Sequence, residues 1–211
     1  MGLIIIATTI AIMTFCILLV CKPKNLKHQH VGTMPNFPYS EIRSGDLAFR
    51  MGTGVYGRLL KTQYADSIYY SHIGLIVQVD SQWVVIHAVP KEIDGIGDFE
   101  RVKMETLPKF FAADKAIHGE LVHTGYIDNG SMTEAAIRFV QDSVKFDSKF
   151  NLADSSSLYC TELIWLLYKR EGIDLTEGRR SLRNMLFLGN EGCIVPSDIL
   201  SFSGNVSYYK F

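Results

Sequence analysis

The stretch 72–89 constrains the fold more than any other part of the chain. HIGLIVQV is followed by the polar break Asp80-Ser81-Gln82 and then by WVVIHAV. Two runs rich in β-branched residues on either side of a short polar break specify a β-hairpin. Each run carries a histidine, His72 at the start of the first and His87 near the end of the second. Register decides whether they meet. A pairing of residue 79 with 82, or any pairing with an odd sum, projects both rings from one face, whereas 79 with 83 puts them on opposite faces.

The rest of the body reads as further short elements. Ser44-Gly45-Asp46 turns the chain into the strand LAFRM, and Gly52, Gly54 and Gly57 loosen it before a helix near 57–65. GTGVYG fits neither a dinucleotide fingerprint nor a P-loop. A loop with Gly95 and Gly97 occupies 90–101, a short helix 105–112, and HGELVHTGYI a strand. Ser131 and Glu134 have capping-box spacing for a helix over 131–145 with Ala136, Ile137, Val140 and Val144 on its apolar face. Ser155, Ser156 and Ser157 offer caps for a second helix that carries LYCTELIWLLYKRE and stops at Gly172. The tail 176–211, with Arg179, Arg180, Arg183 and IVPSDIL, has no clear period. Neither internal repeats nor a CxxC metal spacing is present.

Residues 2–21, GLIIIATTIAIMTFCILLVC, are uncharged and mainly apolar. At ~1.5 Å per residue a helix of that length matches the ~30 Å hydrocarbon core of a bilayer. A membrane segment is therefore expected over 1–21, as an anchor in preference to a cleaved signal peptide, since no basic n-region precedes it and no small-x-small site precedes Lys22. Leu19 and Val20 before Cys21 disfavour a lipidation signal. Lys22, Lys24 and Lys27 would hold the body on the cytoplasmic side, while a signal peptide would export it, so sidedness stays open. The stretch 22–40 holds three of the six prolines and lacks periodicity, which makes it a tether, and the folded domain is expected over 41–211.

Charge excludes one class of partner. Lys22, Lys24 and Lys27 lie before residue 31, so of 21 basic and 22 acidic residues the stretch 31–211 keeps 18 and 22, a net charge of −4. Nucleic acid is a poor partner for such a surface. With Cys16 and Cys21 inside the apolar run and only Cys160 and Cys193 in the body, no disulfide framework is visible.

Cys160 falls in the first turn of its helix, where unpaired amides and the helix dipole favour a thiolate. The bland alternative is a small buried core residue. A nucleophilic thiol needs a base and a group that orients the base, which two histidines on one sheet facing a helix start could supply. Tyr159 and Glu162 flank the thiol, as packing and dipole partners first and as weak candidates for substrate or oxyanion contacts second. The Cys160 amide is a candidate oxyanion donor. His118, His123 and Cys193 are expected to be structural.

YSHIGLIV, VVIHAVP, KFDSKFNL and YCTELIWLLYKREGI stand in that order, with SGDLAF before and IVPSDIL after them. In these blocks the chain resembles the YiiX/YebB-like group of circularly permuted NlpC-type, papain-fold cysteine hydrolases, over about 43–200. The resemblance implies an α+β, permuted papain-like fold, an antiparallel sheet packed against a cysteine-bearing helix, with the histidine hairpin ahead of the cysteine in the chain. It implies Cys160 as nucleophile and His72 as general base. Where many relatives carry glutamate in the VVIHA block this chain has His87, which would orient His72 instead.

The implied function is a thiol hydrolase that cleaves an amide, as in cell-wall peptides, through a Cys-His-His acyl-enzyme mechanism. One alternative is a lipid acyltransferase or phospholipase of the lecithin:retinol acyltransferase type, which shares the permuted order and would profit from a membrane anchor at 2–21. A non-catalytic binding module is the other. The expected partners are an amide- or acyl-bearing substrate and a membrane, and the chemistry requires neither metal nor organic cofactor.

Overall fold

The two β-rich runs at 72–89 alternate only weakly between apolar and polar positions, which is the pattern of strands buried on both faces. The computed structural model describes residues 35–54, 70–90, 92, 98–180 and 192–211. In it the runs are β2 (His72–Val79) and β3 (Gln82–Val89), antiparallel and joined through Asp80 and Ser81. Around them lie β1 (Leu47–Gly52), β4 (Arg101–Thr106), β5 (Ala116–His123), β6 (Lys145–Phe146), β7 (Ser157–Leu158) and β8 (Val206–Lys210). Among the described residues they form one sheet in the order β7-β6-β4-β3-β2-β1-β5-β8, antiparallel except for the β6–β7 edge. Four helices accompany it there: α1 (Leu107–Phe110), α2 (Ser131–Gln141), α3 (Cys160–Arg170) and α4 (Pro196–Leu200). The fold is thus mixed α+β with a large sheet and few helices.

Both faces of the sheet are covered. Ile73, Leu75 and Val77 of β2 and Val84, Ile86 and Ala88 of β3 pack with Met132 and Ala136 of α2 and Leu163, Ile164 and Leu167 of α3. On the other face Ala48, Ile76, Val85 and Leu121 pack with Leu107 and Phe110 of α1, Phe111 and Phe37. Burial on this scale stabilises each such side chain by ~1.5–3 kcal/mol. Phe37, from the stretch expected as tether, belongs to this body: its ring meets Phe111, Tyr209 and Phe211.

Several boundaries differ from the sequence reading. The first long helix is capped by Asp128, not by Ser131, because Gly130 at φ +104° turns the chain so that the Asp128 carboxylate accepts from the amides of Met132 at 3.1 Å and Thr133 at 3.0 Å. It ends at Gln141, short of 145. The triple serine does not cap α3, since Ser157 and Leu158 are drawn into β7 and the helix begins at Cys160. Gly172, at φ +80°, follows its end as expected. Glu105 lies in β4, not in a helix, because the ladder to β3 pairs it with Val85. In the tail, VSYYK is β8, added to β5. No helix among the described residues is long and apolar enough to cross a membrane. The expected membrane segment, most of the tether and the expected helix near 57–65 lie outside the described residues.

Candidate active site

Val79 pairs with Gln82, the register that projects His72 and His87 from one face. The rings meet with His72 Nε2 2.8 Å from His87 Nδ1, T-shaped at 76° between planes. Their neighbours follow from the same pairing rule. Arg50 of β1 lies opposite His72, and Lys103 of β4 lies opposite His87. Glu105 is two residues further along β4 and so on the same face. A buried polar stripe of Arg50, His72, His87, Lys103 and Glu105 therefore crosses four adjacent strands. Phe110 of α1 closes over it, stacked on His72 at 5.7 Å, edge-on to His87 at 5.2 Å and under the Arg50 guanidinium at 4.4 Å.

The stripe is balanced in charge. His87 Nε2 lies 3.1 Å from Glu105 Oε1, within pairing distance though bent from a linear hydrogen bond. Lys115 Nζ holds Glu105 Oε2 at 2.6 Å and Glu92 at 3.0 Å, and Arg50 donates to Glu92 and to the Phe110 carbonyl. Lys103 donates to Asp98 at 2.6 Å. Burial pushes the Glu105 carboxyl up, but the hydrogen bonds and charges of His87 and Lys115 hold it down at about 2. Burial lowers His72 well below the ordinary imidazole value, helped by the charges of Arg50, His87 and Lys115. Burial also lowers His87, against the pull of Glu105. At neutral pH the pair is two neutral rings beside one carboxylate.

Cys160 is the first residue of α3, the helix whose body packs on the sheet face away from the histidine rings. Its sulfur reaches the end of β2. The ladder between β2 and β3 runs from Val79 and Gln82 to Leu75 and Ile86, and beyond it the Ile73 amide, next to His72, points at Sγ. Here the expectation of a lowered thiol pKa is overturned. Burial pushes the thiol up to about 11, more than the amides of Ile73, Thr161 and Cys160 and the Arg50 charge pull it down. A helix start activates a thiol only where the desolvation of the anion is smaller than the amide contribution.

The flanking candidates are occupied structurally. The Tyr159 hydroxyl accepts from the Ile194 amide at 3.1 Å, and its ring packs on Phe150. Glu162 Oε2 accepts from the Tyr159 amide at 3.4 Å, and burial pushes its carboxyl up to about 8. Cys193 is buried against Tyr159 and Val195. His123 pairs with Asp46 at 2.8 Å and stacks on Tyr208, and His118 packs edge-on to Tyr70.

The sequence reading missed Glu105, Lys115, Arg50 and Phe110. Arg50 carried a signal, a lone charge within the apolar strand LAFRM. Glu105 carried a weaker one, the alternation of RVKMET that sets Lys103 and Glu105 on one face.

No protein-family model matches the chain, and no curated protein matches it in sequence. Among solved structures, metalloprotein YiiX from Escherichia coli O157:H7 shares its fold, with a TM-score of 0.65 at 17% identity over 80% of this chain and 97% of that one. The likeness supports a YiiX-like fold.

Proposed function

We propose that the chain is a cysteine hydrolase of the permuted NlpC-type, papain-fold kind, with Cys160 as nucleophile, His72 as base and His87 as its orienting partner. The observation that carries this reading is the meeting of Cys160 Sγ with the end of β2 beside His72, whose Nε2 is held by His87. With the thiol pushed up and the imidazole pushed down, the resting pair is neutral. The thiol proton therefore passes to His72 as Cys160 Sγ attacks the carbonyl carbon, so attack and proton transfer are coupled. His72 then gives that proton to the leaving nitrogen, the C–N bond breaks, and an acyl-thioester remains on Cys160. Water yields a proton to His72 and adds to the thioester, which releases the acid and restores the thiol. Backbone amides at the start of α3 would face the oxyanion.

YiiX is a metalloprotein, so the fit of the residues here to a metal matters. Among the described residues no three His, Cys, Asp or Glu side chains are grouped to hold one. The facing nitrogens of His72 and His87 are taken up by each other, and Glu105 by Lys115. The residues do not fit a metal centre, and no step passes through one.

The substrate class is an acyl amide. An apolar anchor at 2–21 would bring lipid esters within reach as well, so the test offers both. The full chain is incubated with muropeptides and with phosphatidylcholine vesicles, alongside Cys160→Ala and His72→Ala. Amine release from muropeptides, lost in both variants, is the expected result. Fatty-acid release with the same dependence would replace the amidase with the lipid reading. Release that survives Cys160→Ala would overturn the mechanism.

A further inference from the structure

A neutral imidazole has one N–H and one lone pair, so two rings that share a hydrogen bond cannot choose tautomers independently. In the buried stripe one end of that chain is fixed. Glu105, 8% exposed, holds Lys115 at 2.6 Å and lies 3.9 Å from Arg50 Nη1, and an ionised carboxylate only accepts. His87 Nε2 faces it at 3.1 Å, too bent for a regular hydrogen bond, but a ring lone pair turned to the carboxylate would be repelled, so Nε2 carries the hydrogen of that ring. His87 Nδ1 is then a lone pair, and the 2.8 Å contact requires the hydrogen to sit on His72 Nε2. The lone pair of His72 is left on Nδ1.

We propose that Glu105 is a positioning residue that acts through His87 to set His72 in the tautomer with a free Nδ1, the one able to take the Cys160 proton. Its catalytic consequence rests on the thiol-hydrolase reading; its primary test does not. Glu105 stays an anion throughout: when the Cys160 proton arrives on His72 Nδ1, the charge on that ring is steadied through His87 and no proton travels to the carboxylate. The charged and titratable groups around the chain of three are Arg50 from β1, Glu92 after β3, Lys103 from β4, Lys109 of α1, Lys115 before β5 and the neutral thiol of Cys160 in α3, with Asp98 on Lys103. The cations around Glu105 keep it ionised, and burial, helped by the Arg50 charge, keeps the histidines neutral. A neutral amide at 105 would permit the mirror arrangement. Its N–H could donate to His87 Nε2, His87 Nδ1–H could donate to His72 Nε2, and His72 Nδ1 would then carry the hydrogen and be blocked as a base.

The experiment is 15N NMR of the histidine rings in the full chain at pH 7, with assignments from single histidine variants, beside iodoacetamide labelling of Cys160. In the native chain both His72 and His87 should show a protonated Nε2 and an unprotonated Nδ1. Glu105→Gln should add a population with His72 Nδ1 protonated and slow Cys160 labelling about tenfold or more, the usual scale for loss of an orienting partner. A native spectrum with His72 Nδ1 protonated would overturn the proposal even if the variant does not fold. So would a folded Glu105→Gln with unchanged tautomers. Native tautomers as stated, in a chain that releases neither amine from muropeptides nor fatty acid from vesicles, would support the Glu105 assignment and sink the hydrolase reading.

Discussion

His72 Nε2 and His87 Nδ1 lie 2.8 Å apart because Val79 pairs with Gln82. That register sets His72 diagonal to His87 across the hairpin, on one face, at a separation two imidazoles can span. A slip of one residue would send one ring to the face covered by α2 and α3. The pair is thus fixed by the hairpin turn at Asp80 and Ser81, a strand's length away from His72, and the close approach of the strands beside it depends on what stands at position 74.

Gly74 is the residue that allows this approach. A Cβ there would lie 2.3 Å from Val85 Cγ1 and 3.2 Å from His87 Cβ. Val85 is fully buried and has no room to retreat. Gly74→Ala is expected to destabilise the fold by ~1–3 kcal/mol, the usual range for overpacking. It should also displace the His87 ring. Gly54→Ala, where a Cβ meets nothing within 4 Å, serves as the control with unchanged Tm. Thermal unfolding of the two variants checks this, and an unchanged Tm in Gly74→Ala would show that the strands can part.

Cys160 labelling should follow the raised thiol. With the pKa pushed up to about 11, the rate of alkylation should still climb between pH 8 and 10. An ordinary thiol of pKa ~8.5 levels off within that window. Labelling by iodoacetamide across pH 6–10, read by mass spectrometry at Cys160, decides it. A plateau already at pH 6–7 would mean a preformed thiolate and would contradict the neutral resting pair.

The sequence made the hairpin and α3 legible because both signals are local: β-branched runs around a polar break, and an apolar stripe that ends at Gly172. The odd-sum register was one of two possibilities until the strands were paired. Glu105 read as helix because ETLPKF has local helical chemistry, yet the ladder to β3 holds it in a strand, and a cross-strand partner twenty residues back is invisible to local pattern. β8 was illegible for the same reason, since its partner β5 lies more than eighty residues earlier. The cap of α2 was misplaced because Asp128 reaches its amides only through the positive φ of Gly130. The thiol pKa was misjudged because helix position is written in sequence and burial is not.

Phe110 is the apolar wall of the stripe. Its ring touches His72, His87 and Arg50 at once and is fully buried. Phe110→Ala should cost about 3–5 kcal/mol, as for other large core truncations. Phe110→Leu keeps most of the volume and should cost less than ~1.5 kcal/mol. It nonetheless loosens the lid over the rings, and water admitted there should raise the His72 pKa toward 6.5, since burial is the main cause of its depression. Histidine titration by NMR in Phe110→Leu tests this, and a His72 that titrates as in the native chain would remove Phe110 from the electrostatics of the site.

The titratable groups of the site also predict how stability varies with pH, because two sets pull in opposite directions. His72 and His87 have folded values below 6.5, so the unfolded chain binds more protons and the stability they contribute is present above pH 6.5 and lost as pH falls. Glu105, lowered from 4.5 to about 2, adds a loss with the same sign across that lower window. Glu162 is raised from 4.5 to about 8, so its protonated folded form favours the native state below 4.5 and that contribution is lost as pH rises to about 8. Urea midpoints should therefore decline on both sides of a maximum. Glu162→Gln mimics the neutral carboxyl and should raise the midpoint relative to the native chain at pH 8–9 while leaving it close to native at pH 5. His72→Phe should flatten the decline between pH 7 and 5. Midpoints measured at pH 5, 7 and 9 for the three proteins decide the matter: a Glu162→Gln chain weaker than native at pH 9 would mean that Glu162 is an anion in the folded state, held by the helix start.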